Sequence, residues 1–409
     1  MSEGTEIEGS PAVMTVLYIC YQSVREPLTQ TQVIAYLKGL RKPERHIVLL
    51  TFEPAVISTE TQAHIRHELA EAGIEWHSLR YHKRPTLPAT AFDIAAGIRY
   101  GVCLNRARKI RVIHARSHVP GVIALVLKAL TGALMLLDFR GLMAEEYVDA
   151  QVWHSNGLLF GLTKSTEKRL MSAADSVVVL TEKARQLLKS WYPSQLSSKP
   201  VSVIPCCVPV CDREILAPEP SDPGVALGYC GKLGGLYATP EMLRFVKIAG
   251  QVIPGLRFHI WTQSDTRFAT KAMTDEGVDT ITTIGRLPPA QVIPHLRQIC
   301  HAALSFITPC FSKQASSPTK IAEYLAAGLP LIVTTGIGDV DQIVRDEGVG
   351  IVLTEFSDSA YRETAQALLR LLGDESIRAR CIRVARKYFD MERIGWERYR
   401  AVYDQLAKA

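Results

Sequence analysis

The chain has 409 residues, of which 47% are hydrophobic and 22% charged, with a formal net charge of +6. This length exceeds one compact core and favours two domains of about 200 residues each. The composition is that of a globular enzyme and excludes extensive disorder. Residues 1–200 hold 24 Lys and Arg against 18 Asp and Glu, which accounts for the whole excess. Such a basic half fits an anionic partner or membrane surface, or simply a solvated basic face.

Residues 1–13 lack the basic start and apolar run of a secretion signal and are predicted to form a flexible tail. The longest apolar stretch, from Val119 to Leu137, is interrupted by Lys128 and Gly132, which favours a buried helix, turn and strand over a membrane span. Nine cysteines without zinc-ligand spacing indicate reduced thiols. We therefore expect a cytoplasmic protein. Peripheral attachment at the inner face of the membrane is the alternative. No nucleic-acid-binding module is present, so no nucleic acid partner is expected.

Apolar runs typical of strands alternate with helix-length segments along the chain. In chain order these runs are TVLYICY, HIVLLTFE, IRVIHA, ALMLLDF, SVVVLT, VSVIP, VALGYCG, RFHIWTQ, TITTIG, AALSFIT and PLIVTT. Such alternation predicts an α/β fold with parallel sheets covered on both faces, arranged as two doubly wound, Rossmann-like domains that face a central cleft. Ligands of such sheets bind outside the carboxyl ends of the strands.

The polar, proline-bearing stretch from Ser194 to Pro200 predicts the boundary between the domains. The first domain then spans residues 14–200, and the second spans residues 201–385 with VSVIP as its opening strand. A charged helix pattern over residues 386–409 follows the second domain. Function is therefore to be sought in the loops that follow strands.

Two loops of the second half combine glycines with a cation. In GYCGKLGG, glycines such as Gly234 let backbone amides approach an oxyanion, and Lys232 adds charge. A tight turn between strand and helix explains this loop equally well, because it matches neither GxGxxG nor GxxxxGK[ST]. The loop after TITTIG offers Arg286 for contact with a base or phosphate, with a merely exposed arginine as the alternative.

The stretch FITPCFSKQASSPTK leads into a helix, with Ser317 predicted at the N-cap and Pro318 at the first helical position. Free amides at a helix start flanked by Lys313 and Lys320 predict a diphosphate site. A lysine in the first turn opposes the helix dipole, although an i,i+3 pair with Glu323 also explains Lys320. Glu323 itself can accept two hydrogen bonds from the vicinal hydroxyls of a ribose, with a solvated helix face as the alternative.

The segment SSPTKIAEYLAAGLPLI closely resembles the donor-binding segment of the glycosyltransferase group 1 family, the retaining, family 4-like enzymes of GT-B fold. The similarity extends to LTQTQVIAYLKGL, HARSHVPG, DFRG, ADSVVVLTEKA and GIGDVD, and covers nearly all of residues 14–409. It implies an N-terminal acceptor-binding domain and a C-terminal domain that binds a nucleotide-sugar donor. It also implies a last helix that crosses back onto the first domain.

The resemblance assigns roles to single residues. Glu323 corresponds to the glutamate that binds the donor ribose. The diphosphate contacts correspond to Lys313, Ser317, Thr319 and Lys320, the last with a catalytic role.

Two departures from the family's pattern stand out. Ala315 replaces the first glutamate of the family's pair, which affects contacts with the sugar hydroxyls. Lys232 followed by Ala238 replaces an Arg-then-Lys pair, which shifts phosphate neutralisation toward the two later lysines.

In the first domain, IHARSH ends a strand, so His114, Arg116 and His118 are catalytic candidates that point into the cleft. Family members often carry a histidine near the reacting sugar here. The choice between His114 and His118 stays open, and a histidine packed at a strand end is the alternative for each. Asp138 and Arg140 end the next strand and are candidates for contact with acceptor or donor sugar, with a simple Asp–Arg pair as the alternative.

The triplet Asp339-Val340-Asp341 matches the DxD signature by which the other main glycosyltransferase fold holds a divalent metal. Here it follows a Gly-Ile-Gly turn and opens a helix, and the spacing from Asp339 to Gln342 predicts a capping box instead. No metal and no other cofactor is therefore expected. Lysines and helix amides would neutralise the leaving diphosphate.

Together these features predict a hexosyltransferase-type enzyme, a metal-independent, retaining glycosyltransferase. It would move a sugar from a nucleotide-diphosphate donor, UDP-linked, to an envelope, exopolysaccharide or lipid-linked glycan acceptor. Two alternatives stay open: a non-catalytic sugar-nucleotide-binding subunit of the same fold, which the departure at Ala315 motivates, and a nucleotide-sugar epimerase. A few loop residues decide base, sugar and acceptor, so the sequence leaves these open.

Overall fold

A computed structural model gives the structure of residues 13–54, 57–211 and 224–408. The tail predicted over residues 1–13 therefore lies outside the described residues, except for Val13. The described chain forms two parallel sheets, one of seven strands and one of six. Each sheet has an apolar core on both of its faces. The predicted α/β fold with two doubly wound units is thereby confirmed.

The first sheet is built from the first half of the chain. Its strands are β1 Met14–Cys20, β2 Arg45–Glu53, β3 Ile74–Arg80, β4 Ile110–Arg116, β5 Leu134–Phe139, β6 Ser176–Val179 and β7 Val201–Val203. Its helices are α1 Pro27–Thr29, α2 Ala35–Gly39, α3 Thr59–Glu71, α4 Thr86–Arg108, α5 His118–Thr131, α6 Met143–Asp149, α7 Leu158–Ala173, α8 Glu182–Trp191 and α9 Pro193–Leu196. The strand order β3-β2-β1-β4-β5-β6-β7 reverses between β1 and β4, where open α/β sheets bind ligands.

The second sheet repeats this plan. Its strands are β8 Ala226–Cys230, β9 Arg257–Trp261, β10 Thr282–Gly285, β11 Ala302–Ser305, β12 Leu331–Thr334 and β13 Gly350–Leu353, in the order β10-β9-β8-β11-β12-β13. The helices that follow are α10 Thr239–Val252, α11 Thr266–Glu276, α12 Val292–Ile299, α13 Thr319–Ala326, α14 Val340–Glu347, α15 Asp358–Leu372, α16 Ile377–Phe389 and α17 Glu397–Ala407. Over the described ranges, no helix has the length and apolar character needed to cross a bilayer.

The strand VSVIP belongs to the first sheet. Residues of β7 pair in parallel with β6, with Val201 opposite Val177, and the amide of Ile204 continues the pairing by donating to the carbonyl of Val179. The prediction that this strand opens the second domain is therefore wrong.

Two further strands, β3 and β13, were not predicted from the sequence. In β3, at the edge of the sheet, the sequence IEWHSLR mixes polar and apolar residues and so lacks the continuous apolar run of the central strands.

The end of the chain returns to the first half. Helices α16 and α17 are separated at Asp390, whose carboxylate accepts hydrogen bonds from the amides of Glu392 and Arg393. Helix α17 then packs on the first sheet, where the hydroxyl of Tyr403 lies 2.7 Å from Nδ1 of His114. The last helix therefore ties the two halves together, although it follows the second sheet in sequence.

Candidate active site

The start of α13 differs by one residue from the prediction. The helix begins at Thr319, and Pro318 takes the N-cap position. The hydroxyl of Ser317 does not cap the helix; it accepts a hydrogen bond from the amide of Cys206 at 3.1 Å. This bond ties the loop to the segment that connects the two halves. The N–H groups of Thr319 and Lys320 begin the helix without intrahelical acceptors and suit an anionic ligand.

Lys320 is buried, with 7% of its surface exposed, and its ammonium has no hydrogen-bond partner within the described ranges. The predicted alternative, an ion pair with Glu323, is therefore wrong. Nζ instead lies 4.0 Å from the ring centre of Tyr229 and 4.6 Å from that of Tyr237, contacts that stabilise a cation only in part. Burial lowers the pKa of Lys320 to about 7, against the effects of Cys230 and Glu323. Lys320 is thus a buried amine without a hydrogen-bond partner from the described part of the chain.

The glycine loop after β8 covers this lysine. Gly231 has a φ of +151°, and a Cβ at this position would lie 2.6 Å from Nζ of Lys320. A larger residue there would displace the ammonium. The side chain of Lys232 is exposed, and Gly234 donates its N–H to the hydroxyl of Thr239 at 3.0 Å. The loop is therefore a tight turn that also closes over Lys320.

Glu323 lines a cleft of about 920 Å³ that lies between the two halves. The walls of the cleft are mainly apolar and include Val208, Val210, Pro288, Ile293 and Pro294. Arg286 lies two residues before this wall, on the loop after β10, and its side chain is exposed. Burial raises the pKa of Glu323 to about 7, which the charge of Lys320 opposes. A cleft of this volume accommodates a nucleoside, and the carboxylate of Glu323 is placed to accept hydrogen bonds from its hydroxyl groups.

Lys313 lies on the 3-10 segment that precedes α13. Its ammonium donates to the carboxylate of Glu146 on α6 at 2.7 Å, so the bond crosses from the second half to the first. Burial raises the pKa of Tyr237, and the charge of Lys313 opposes that rise. Lys320 contacts the ring of the same tyrosine. The charges of both lysines therefore act on Tyr237, beside the start of α13.

Ala315 docks into the first half instead of facing the cleft. It is 1% exposed and belongs to a hydrophobic cluster formed by the first sheet. Hydrogen bonds on the same segment hold it there, since the amide of Ser312 donates to Asp149 at 2.7 Å and the hydroxyl of Thr181 donates to the carbonyl of Gln314 at 3.1 Å. At the position where the family carries its first glutamate, this chain therefore offers no polar group to a sugar.

Asp138 forms the centre of a buried ion cluster. Its carboxylate has no exposed surface and lies 3.4 Å from a guanidinium nitrogen of Arg116 and of Arg140, and 3.7 Å from Nε2 of His114. Burial by itself raises the pKa of Asp138, but the charges of Arg140 and Arg116 hold it well below its usual range. The predicted contact of Asp138 with a sugar is therefore wrong, and the alternative of an Asp–Arg pair describes both Asp138 and Arg140.

The two candidate histidines lie in different surroundings. His114 is 1% exposed under α17, bound to Tyr403, and burial lowers its pKa. It is a core residue and does not point into the cleft. His118 is the first residue of α5, at the carboxyl edge of the sheet, with Nε2 3.3 Å from Glu167. Its Nδ1 has no partner among the residues with a described structure. Nε2 of His114 likewise has no hydrogen-bond partner among the described residues, so only the position of His118 at the end of the strand favours it.

Asp339 contacts the first half of the chain. Its carboxylate oxygens accept hydrogen bonds from the amides of Glu182 and Lys183, at 2.7 and 3.2 Å, where α8 begins. Since its side chain makes no bond to its own helix α14, the predicted capping box is wrong. Asp341 accepts hydrogen bonds from the loop just before it. The two carboxylates therefore stabilise separate loops and do not converge.

The structure thus brings the main predicted donor residues to one helix start. These residues are Lys313, Thr319, Lys320 and Glu323, with Lys232 and Gly234 on the covering loop. The sequence interpretation missed Tyr229 and Tyr237, whose rings receive Lys320, and Glu146, which binds Lys313. Two tyrosines near a glycine loop carry no distinctive signal. Glu146 is 167 residues away from its lysine, so only the folded chain shows the pair.

Two family models match the chain. The model described as glycosyl transferase 4-like domain matches residues 30–207, and that described as glycosyl transferases group 1 matches residues 227–374. The search of curated proteins by sequence found no match.

Solved structures show the same fold at low identity. Sucrose-phosphate synthase from Thermosynechococcus elongatus is 14% identical, with a TM-score of 0.71 over 97% of this chain and 100% of that chain. A glycosyltransferase from Rickettsia africae is 14% identical, with a TM-score of 0.72 over 97% and 99%. Anabaena Alr3699/HepE in complex with UDP-glucose is 14% identical, with a TM-score of 0.65 over 96% and 100%. The chain therefore belongs to the glycosyltransferase group 1 family and is a transferase of GT-B fold.

Proposed function

We propose that this glycosyltransferase retains the configuration of the sugar that it moves, works without a metal, and uses a UDP-sugar as donor. The acceptor would be an envelope, exopolysaccharide or lipid-linked glycan. The observation that carries the proposal is the buried, unpartnered ammonium of Lys320, one turn before a cleft-facing Glu323 on the same helix. A structural neighbour, HepE, has been solved with UDP and with UDP-glucose, which supports a uridine donor.

In this proposal, the nucleoside occupies the apolar cleft and its ribose hydroxyls donate to Glu323. The diphosphate lies before the amides of Thr319 and Lys320, with the ammonium groups of Lys313 and Lys320 beside it. These groups stabilise the charge that develops on the leaving diphosphate, which is the largest single source of catalysis in such sites. Neither carboxylate of the Asp339-Val340-Asp341 triplet is needed for this, because each already binds backbone groups.

The transfer itself is a front-face exchange in the donor cleft. The bond between the anomeric carbon and the phosphate oxygen breaks, and a bond from the acceptor oxygen forms on the same face. The acceptor proton passes to the leaving phosphate oxygen. The protein then contributes positioning of two substrates and stabilisation of the leaving group. His118 remains the candidate for contact with the reacting sugar.

A two-stage experiment tests this function. Thermal shift with UDP-, GDP- and ADP-sugars identifies the donor, because a bound donor stabilises the fold by mass action. Nucleotide release is then measured with and without a glycan acceptor. Release that requires acceptor supports transfer, binding without release supports the non-catalytic subunit, and isomerised donor without acceptor supports an epimerase.

The ribose contact has its own test. Exchange of Glu323 for Gln is expected to weaken donor binding about 10- to 100-fold, since a hydrogen bond to a charged acceptor contributes about 1.5–3 kcal/mol. Glu363→Gln, on the exposed face of α15, is the matched control and is expected to leave donor binding unchanged.

Turnover is expected to persist in excess chelator. Loss of activity with EDTA and recovery with manganese would contradict metal independence.

A further inference from the structure

The hairpin of α6 and α7 exposes an unusual amount of apolar surface. We call the side chains of Tyr147, Val152, Leu158 and Leu162 the apolar rim. Leu158 is 87% exposed, the highest value for a large hydrophobic residue in the described part of the chain, and Leu162 is 60% exposed. Single exposed leucines are common, but four large apolar side chains within one 16-residue segment indicate a binding surface.

The exposed charges on α7 beside the apolar rim are positive, while Glu146 on α6 is half exposed and paired with Lys313. Leu158, Leu162 and Arg169 recur at helical spacing on the exposed face of α7, with Lys168 beside Arg169. The single carboxylate between residues 151 and 169, Glu167, is fully buried. Helix α7 therefore presents exposed leucines in its first two turns and exposed basic residues in its third turn. Apolar side chains beside basic ones suit an anionic membrane surface.

The position of the apolar rim relates it to the cleft. Helices α4, α5 and α7 pack side by side, and each follows a parallel strand, so each begins at the carboxyl edge of the first sheet. Leu87 and Phe92, in the first two turns of α4, are exposed at the same edge. Helix α6 contacts the second half through the bond between Glu146 and Lys313. The apolar rim therefore borders the side of the first half that meets the donor site.

We propose that the apolar rim docks the enzyme on a bilayer that contains anionic lipid. The apolar side chains enter the interface, and Lys168 and Arg169 bind lipid phosphates. Docking in this orientation would place the cleft beside the membrane surface, where a lipid-linked acceptor lies. The inference extends the acceptor part of the proposed function. Vesicle binding requires neither donor nor turnover, so the docking proposal and the proposed function can fail separately.

Sedimentation with phosphatidylcholine vesicles, with and without phosphatidylglycerol, tests the docking. The full chain is expected to bind the anionic vesicles, and Leu158→Glu/Leu162→Glu is expected to reduce this partition at least about tenfold. Leu130→Glu is the matched control. Leu130 is 63% exposed at the other end of α5, in the same layer of helices, and its exchange is expected to leave binding unchanged.

A second variant tests the charge and guards against misfolding. Lys168→Gln/Arg169→Gln alters only exposed side chains and is expected to lower binding to anionic vesicles to the level seen with neutral ones. Thermal melting and analytical ultracentrifugation accompany each variant. The proposal is overturned if the native chain does not bind vesicles or if both double variants bind as it does. It is also overturned if the leucine variant dissociates a dimer with vesicle binding unchanged, since a second copy would then cover the apolar rim.

Discussion

The ammonium of Lys313 donates a hydrogen bond to the carboxylate of Glu146 at 2.7 Å, and this bond joins the donor half to α6 of the first half. In the proposed function, the same ammonium neutralises the donor diphosphate. Glu146 therefore competes with the donor for Lys313. Since the Glu146 side chain is half exposed, the pair contributes at most about 1 kcal/mol, which a diphosphate can replace.

Exchange of Glu146 for Gln is expected to strengthen donor binding by about two- to fivefold, the range that a partly exposed ion pair allows. Isothermal titration with UDP measures the change. Glu363→Gln, which removes an exposed carboxylate from α15, serves as the control and is expected to leave affinity unchanged. Unchanged or weaker binding by Glu146→Gln would show that Lys313 does not exchange one anion for the other.

Much of the fold is readable in the sequence, because parallel strands buried on both faces appear as continuous apolar runs. The donor helix is readable for a different reason, since its start signals and its lysine and glutamate are local. What the sequence does not reveal is long-range pairing. Asp339 looks like the cap of its own helix, yet it binds the start of α8. Asp138 looks like a strand-end ligand, yet two arginines enclose it.

Lys320 should reduce the stability of the ligand-free protein. Its pKa in the folded chain is about 7 and lies below the usual value, so the folded state binds the proton more weakly than the unfolded state. The destabilisation by Lys320 is complete below about pH 7. It disappears as the pH rises toward about 10.5, the pKa of a lysine in the unfolded chain. Lys320→Met is therefore expected to stabilise the free protein by about 1–4 kcal/mol below pH 7 and to weaken donor binding.

Denaturant unfolding at several pH values checks this expectation. The gain from Lys320→Met should shrink as the pH is raised. Lys271→Met removes a lysine whose side chain is 77% exposed and should leave stability nearly unchanged. If Lys320→Met instead destabilised the protein at every pH, the lysine would have a structural role and its assignment to an anionic ligand would be disproved.

Donor binding should depend on pH with a maximum near 7. A diphosphate favours the protonated form of Lys320, so affinity falls by up to about tenfold per pH unit above 7. Ribose hydroxyls favour the ionised form of Glu323, whose pKa is raised to about 7 by burial, so affinity also falls below pH 7. UDP-glucose is the suitable probe for calorimetry, because its diphosphate keeps its charge over this range.

Two variants separate the limbs of this profile. Lys320→Met should remove the alkaline limb, and Glu323→Gln should remove the acidic limb, each at reduced overall affinity. Calorimetry in buffers of different ionisation enthalpy should detect proton uptake above pH 7 and proton release below it. A profile that keeps both limbs in both variants would assign the titration to other groups.

Ala315 offers a test of whether the donor loop stays docked on the first half. A glutamate at this position would match the family's pattern but would place a charge in a hydrophobic cluster, at 1% exposure. Ala315→Glu is therefore expected to destabilise the protein by about 2–4 kcal/mol without raising turnover. Ala315→Ser, a small polar exchange, should cost about 1 kcal/mol or less. Thermal melting with donor titration measures both. A glutamate variant of native stability that binds UDP-glucose more tightly would mean that the loop leaves the first half and presents residue 315 to the sugar.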